Sequence, residues 1–393
     1  MTLKLAGELL LCAAAATLCA RAETLTLSTL AEGSATGLAT GPGGALYGST
    51  TGSVFSLTPP PSAGGPWAEA VLYSFINTAT DGADTNGVVA GPGGVLYGTN
   101  ATGGQHNCGT VFALTPPASP GAPWTEAVLH QFNNDDGCNP RGNLLIGSGG
   151  VLYGITTAGG IGLGNGTVFS MTPPATAGGA WSETVLHRFA GSDDGATPNG
   201  LAMGADGALY GITQYGGSSN LGTVFAIAPQ ASNGGAWAEN VVFSLPGFTG
   251  DGWNPTGVAV GRRGVVYAIT ANGGNSNFGT AFSLTPPATS GGPWTETVIH
   301  QFGFDEMFPN DLAMAPNGVL LGTTLDGGDG AGTLFSLTPP AAPGGSWSAA
   351  RFSFSEGVKG SHPTLVVIGP GVLYGSTSAG GSTETGTVFS LAP

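Results

Sequence analysis

Short apolar runs alternate with Gly-, Pro- and Ser-rich stretches along almost the whole chain. The clearest example is Gly207–Ile227, G-A-L-Y-G-I-T-Q-Y-G-G-S-S-N-L-G-T-V-F-A-I, where two runs flank a Gly-Gly turn. Outside the N-terminus no stretch sustains a helical period, so the runs predict short strands and the glycines predict turns. The unit recurs seven times. Its tyrosine falls at Tyr47, Tyr97, Tyr153, Tyr210, Tyr267 and Tyr374, with Leu321 in the sixth place, at intervals of 50, 56, 57, 57, 54 and 53 residues. A fixed period of this size is the signature of a repeat architecture.

Each unit reads as four strands. In one copy these are a, Gly200–Gly204; b, Ala208–Thr213; c, Gly222–Ala228; and d, Trp237–Leu245. Paired glycines fill the b–c turn in six copies, at 103/104, 159/160, 216/217, 273/274, 327/328 and 380/381. Glycine suits the positive φ of tight hairpins. The first copy, Ser49–Ser53, is several residues shorter, which leaves a notch that could serve for docking. A Pro/Gly spacer such as Thr115–Pro123 ends strand c, because proline cannot donate to a ladder. Strand d then opens on Trp67, Trp124, Trp181, Trp237, Trp294 or Trp347, and Glu follows closely in five of the six. A large aromatic at one place in every repeat is read as a packing anchor between sheets, with sugar stacking as the alternative.

Four strands per unit and a period near fifty predict an all-β fold, a seven-bladed β-propeller of four-stranded blades. Strands b and c occur seven times, but the Trp-headed strand d only six. Glu23–Leu30 (E-T-L-T-L-S-T-L) resembles Glu183–Phe189 and stands where a strand d would. The N-terminal strand is therefore expected to complete the last blade and remove an unpaired edge.

Met1–Ala22 reads as a secretory signal peptide. It has Lys4 near its start, an apolar run over Leu9–Ala20 too short to span a bilayer, and Ala20-Arg21-Ala22 as the cleavage site. The mature chain then starts at Glu23, forms a single propeller domain over Glu23–Pro393, and is secreted, extracellular or periplasmic. No other apolar run is long enough to cross a membrane, and a monomer is expected. With 41% hydrophobic residues the chain is not disordered, despite 72 Gly and 28 Pro. A net charge of −15 disfavours nucleic acid as a partner.

Four groups of residues carry candidate chemistry. Cys108 and Cys138 remain after signal removal, an even pair in an exported chain, and topology places both on the side where b–c and d–a loops emerge, so a disulfide is expected. Their spacing is not a zinc motif. His130, His187 and His300 share a repeat position with Tyr73 and Phe243, which points to a need for an aromatic shape; three different blades would hold them too far apart to share one metal. His106 and His362 read as isolated loop residues. The third group is acidic: Glu32, Asp81, Asp136, Asp194, Asp251 and Asp305 stand four residues before the d–a proline or its equivalent, with Lys359 in the seventh copy. They read either as Asp-Gly turns or as a set of carboxylates that attracts Ca²⁺ weakly or meets sugar hydroxyls. The fourth group is the aromatics Tyr215 and Trp253, candidates for calcium-independent binding. Nucleophile-elbow, HExxH, P-loop and dinucleotide motifs are all absent.

The pieces G-x-L-Y-G-x-T, the Gly-Gly turn, G-T-V-F-x-L, the L-H-x-F end of strand d and Asp194-Gly195-Ala196-Thr197-Pro198 resemble the GloVer tandem repeat of secreted and surface-anchored bacterial proteins. The likeness covers Glu23–Pro393. It implies a secreted repeat propeller and carries no catalytic residues or cofactor to transfer. Members often end in an anchoring tail, and this chain ends in S-L-A-P. The expected function is a non-enzymatic extracellular binding or scaffold protein that meets polysaccharide or another surface protein. The alternative is a carbohydrate-active lyase or hydrolase, for which Asp135-Asp136 and Asp193-Asp194 are the candidate carboxyl pairs.

Overall fold

The computed structural model describes residues 25–392, apart from 63, 77, 120, 161–163, 177, 230–235, 248–249, 290, 343 and 356–359. The signal segment Met1–Ala22, the start at Glu23 and Lys359 lie outside the described residues. The chain is a seven-bladed β-propeller of four-stranded antiparallel sheets. Blades one to four run over 37–74, 82–131, 138–188 and 196–244, and blades five and six over 253–301 and 307–353. Blade seven joins Ser361–Gly369, Val372–Ala379 and Thr387–Ala392 to the N-terminal strand Thr26–Glu32. That strand pairs antiparallel with the last one, Leu27 opposite Leu391 and Glu32 opposite Thr387, as expected from the strand inventory. Two compact units result. Residues 36–244 hold blades one to four, and residues up to 35 with 245–393 hold blades five to seven.

The L-Y-G and T-V-F motifs explain one another. In blade three Gly154 lies directly across the ladder from Phe169, and a methyl on Gly154 would sit 2.5 Å from the ring. The same Gly–Phe pairing occurs as Gly48–Phe55, Gly98–Phe112, Gly211–Phe225 and Gly322–Phe335. The missing side chain on strand b makes room for the large one on strand c. Strand c is largely buried on both faces, because neighbouring blades cover both, and so its middle reads as a short apolar run with a small Ser or Ala inside it instead of an alternation. Strand d keeps an exposed face and alternates.

Rings carry the packing between blades. Phe132 at the end of blade two meets Phe169 of blade three edge-on, with centroids 5.0 Å apart. Phe75–Phe112, Phe189–Phe225, Phe302–Phe335 and Phe354–Phe389 repeat this contact. The tyrosine of one blade meets the tryptophan of the next in Tyr47–Trp124, Tyr97–Trp181, Tyr153–Trp237 and Tyr267–Trp347. These four tryptophans are therefore packing anchors, as expected. Polar staples run alongside: Asn86 Nδ2 donates to the Pro140 carbonyl at 2.6 Å, and Thr256 Oγ1 to that of Pro309 at 2.7 Å.

Two details depart from expectation. Strand a of blade four begins at Ala196, four residues before the expected Gly200. A bulge between Pro198 and Gly200 keeps the proline in the sheet, preceded by Thr197 at φ 55. His362 is likewise inside strand a of blade seven rather than in a loop, 3.7 Å from Asp326. The hairpin of blade one is short, as expected, with strands Leu46–Ser49 and Ser53–Thr58.

Candidate functional site

The b–c and d–a loops emerge together within each unit. Cys108, which ends the b–c loop of blade two, is bonded to Cys138, the first residue of strand a in blade three, with Cα atoms 4.3 Å apart. The Asn139 amide also donates to the Cys108 carbonyl at 2.9 Å. Phe308 and Phe278, and His362 and Ala331, make the same backbone bond at 3.2 and 2.7 Å.

The six acidic candidates do not share one fate. Asp81 is buried and accepts from the Ile76 and Gly82 amides. Asp136 accepts from the Asn133 amide and side chain and faces His130 Nε2 at 3.2 Å. Asp194 accepts from the Ala190 amide at 2.6 Å and faces His187 Nε2 at 3.1 Å. Glu32 accepts from the Ser382 amide and is exposed. The Asp251 carbonyl accepts from Thr280 Oγ1. Asp305 is exposed and pairs with Arg351 at 2.9 Å, while the next residue, buried Glu306, meets His300 Nε2 at 2.9 Å. In blade six the residue that plays the part of Asp136 is therefore Glu306.

The histidines keep the aromatic role read from their repeat position. His130, His187 and His300 each stand edge-on to the phenylalanine two residues on, at 4.8, 4.7 and 4.8 Å, as Tyr73 does to Phe75. What the repeat position did not reveal is the carboxylate beneath each ring. A further carboxyl also escaped notice as a site residue: the glutamate two places after the strand-d tryptophan. Glu183 joins His130 and Asp136 from the next blade, and Glu239 joins His187 and Asp194. The Trp-x-Glu spacing was the available signal.

These glutamates are strongly perturbed. Burial pushes Glu126, Glu183, Glu239 and Glu296 up to about 7, with neighbouring aspartates adding to the rise. Asp194 moves the other way. Burial works to raise it, but the hydrogen bonds from His187 and the Ala190 amide hold it below the usual carboxylate range. Adjacent carboxyls with separated ionisation can exchange a proton, place a charge or hold a cation.

Some loop positions expose large apolar side chains. Four of the five exposed large hydrophobics among the described residues sit on the b–c or d–a loops or at the strand ends beside them: Ile76, Tyr215, Phe304 and Leu325. Phe304 is 77% exposed. It stacks edge-on against Phe278, which in turn meets Phe308. Tyr215 is 55% exposed, whereas Trp253 is half-buried at the start of blade five.

Equivalent blades, a shared inter-blade packing code and side chains that differ mainly at one set of loops define a tandem-repeat propeller. The chain belongs to the Gloeobacter/Verrucomicrobia repeat family, whose model matches residues 22–179 and 125–330. No protein of curated function matches it. Among solved structures it is similar to a puromycin-hydrolysing peptidase of Mycobacterium tuberculosis (TM-score 0.54, 12% identity, 90% of this chain and 49% of that one). It is also similar to YCF48 bound to D1 peptide (0.51, 13%, 94% and 97%) and to the PQQ-bound aldose sugar dehydrogenase of Streptomyces coelicolor (0.47, 15%, 94% and 98%). At these identities the likeness is one of fold.

Proposed function

We propose that the chain is a secreted, non-enzymatic binding protein that meets polysaccharide with the side bearing its b–c and d–a loops. The supporting observation is the exposed ring of Phe304 in the loop before blade six, backed by Phe278 and Phe308. A solvated ring held by two others is a pre-formed platform, and rings offer sugar faces a flat surface to stack on. The Cys108–Cys138 bridge suits an oxidising compartment outside the cytoplasm. No helix among the described residues is long and apolar enough to cross a membrane.

The test is a glycan-array screen of the mature protein, with and without millimolar Ca²⁺, beside a Phe304→Ala variant. Specific binding that weakens at least tenfold in the variant supports the reading. An empty array with capture of a surface protein would replace polysaccharide by a protein partner. Calcium-dependent binding would move the contact to the carboxylates of Asp136 and Asp194.

A carbohydrate-active enzyme is the second reading, favoured by the separated ionisation of Asp194 and Glu239. Against it, the raised glutamate recurs in four blades, as a part of the repeat does, whereas a catalytic centre is built once. Release of reducing ends from a polysaccharide, lost in Glu239→Gln, would establish the enzyme and end the binding-only reading.

A further inference from the structure

Two junctions between blades bring together three metal-ligating side chains each. His130, Asp136 and Glu183 meet between blades two and three, and His187, Asp194 and Glu239 between blades three and four. Within each group one ring nitrogen and one oxygen from each carboxyl lie within 4.8 Å of one another. The donors come from a strand d, the loop that follows it and the strand d of the next blade. The set therefore exists only when neighbouring blades pack.

The distances suit a small cation. Zinc bonds of about 2.0–2.2 Å hold neighbouring donors roughly 3.0–3.5 Å apart. The imidazole–carboxylate separations are already 3.2 Å in the first group and 3.1 Å in the second. A second observation bears on the third ligand. Oε1 of Glu183 and Oε1 of Glu239 are both closed off from solvent with no N–H or hydroxyl donating to them; the Glu239 carboxyl instead meets that of Asp194, an arrangement that needs a shared proton or a cation. A buried oxygen without a donor is costly, and a cation at the centre of the group would supply the missing partner. Glu126 has the same orphaned oxygen, but its junction carries Tyr73 where the nitrogen donor would be. The junction between blades five and six has His300 and Glu306 but Ala349 in place of the third carboxyl. These incomplete junctions are built-in controls.

The geometry points to two divalent transition-metal sites, one at each complete junction, with one imidazole and two carboxylates as ligands and room for water. Imidazole with carboxylates suits Zn²⁺, Co²⁺ or Mn²⁺, whereas Ca²⁺ takes six to eight oxygens. These sites are separate from the apolar loop surface, so they stand or fall independently of polysaccharide binding.

The test uses the untagged full chain, stripped with a chelator and then dialysed against Zn²⁺ or Co²⁺. Two equivalents of metal per chain are expected, with visible absorption from bound Co²⁺. His130→Tyr and His187→Phe, which install residues found at this repeat position in Tyr73 and Phe243, should each remove one equivalent, and the pair should remove both. His300→Phe should remove none. Glu183→Gln and Glu239→Gln should repeat the two losses if a histidine variant fails to fold. No bound metal in the parent chain, or two equivalents retained in the double variant, would overturn the assignment.

Discussion

The junction between blades two and three and the junction between blades five and six solve one problem with different chemistry. Both hold a b–c loop against the next strand a through one backbone hydrogen bond, from Asn139 to Cys108 in the first and from Phe308 to Phe278 in the second. Beyond that, the first is closed by the Cys108–Cys138 disulfide and the second by the Phe278–Phe308 ring contact at 5.7 Å. The repeat thus dictates backbone and ring packing, and leaves loop side chains free to close the junction covalently or by apolar contact. A covalent closure also restricts the unfolded chain, which a ring contact cannot do.

The shared layer should be the hardest to disturb. Phe169→Ala removes a fully buried ring that meets Phe132 and covers Gly154, and should cost about 3–5 kcal/mol in chemical denaturation. A cost near zero would show that the ring stack is not the common scaffold. Next, Cys108→Ser with Cys138→Ser opens a bridge between residues 30 apart and should cost about 3–4 kcal/mol. Phe278→Ala, at the matching place, should cost less, about 1–2 kcal/mol, because its ring is only half-buried. Equal costs would abolish the distinction between covalent and apolar closure. The comparison can also be sharpened by transplant: Phe278→Cys with Met307→Cys should form a new disulfide, read as the absence of free thiols in the unfolded protein.

The smallest effects concern pH. The Glu126 carboxyl is raised to about 7 in the folded chain, by burial first and then by Asp81. A raised acid favours folding while protonated. Its contribution is complete below the unfolded pKa, about 4.3, and is lost as pH rises through about 7. Glu126→Gln should flatten the fall in stability across that window. Asp311, raised by burial to about 6 even though the Val366 amide donates to it at 2.7 Å, should behave likewise, with Asp311→Asn flattening the curve between about 4 and 6. An unchanged slope in either variant would mean that its carboxyl is solvated.

The blades were legible in the sequence because they rest on local pattern, the closure because a count of strands left one half-unit at each end, and the disulfide because a single even pair of cysteines fell on loops of one side. Gly154 and Phe169 recur at fixed places since they face each other across one hairpin. The groups at the blade junctions were not legible, because Glu183 reaches Asp136 from the next blade, where no local spacing records the contact. Counting back from the proline also chose Asp305 over Glu306. The d–a loops differ in length, with His187 to Asp194 one residue longer than His300 to Glu306, so a count from one end misses the functional register. His362 was read as a loop residue, but it belongs to strand a of blade seven, where it takes φ 55 directly before Pro363.

The pairing of Thr26 with Ala392 sets the timetable of biosynthesis. Thr26–Glu32 is made before every other strand of the propeller and Thr387–Ala392 after them, so at about 5–20 residues per second the first waits roughly 20–70 s for its partner. Until then Thr26–Glu32 has unpaired backbone edges able to recruit another chain. A factor that shields Thr26–Glu32 while the chain is being made would raise the yield of folded protein more than one acting after release.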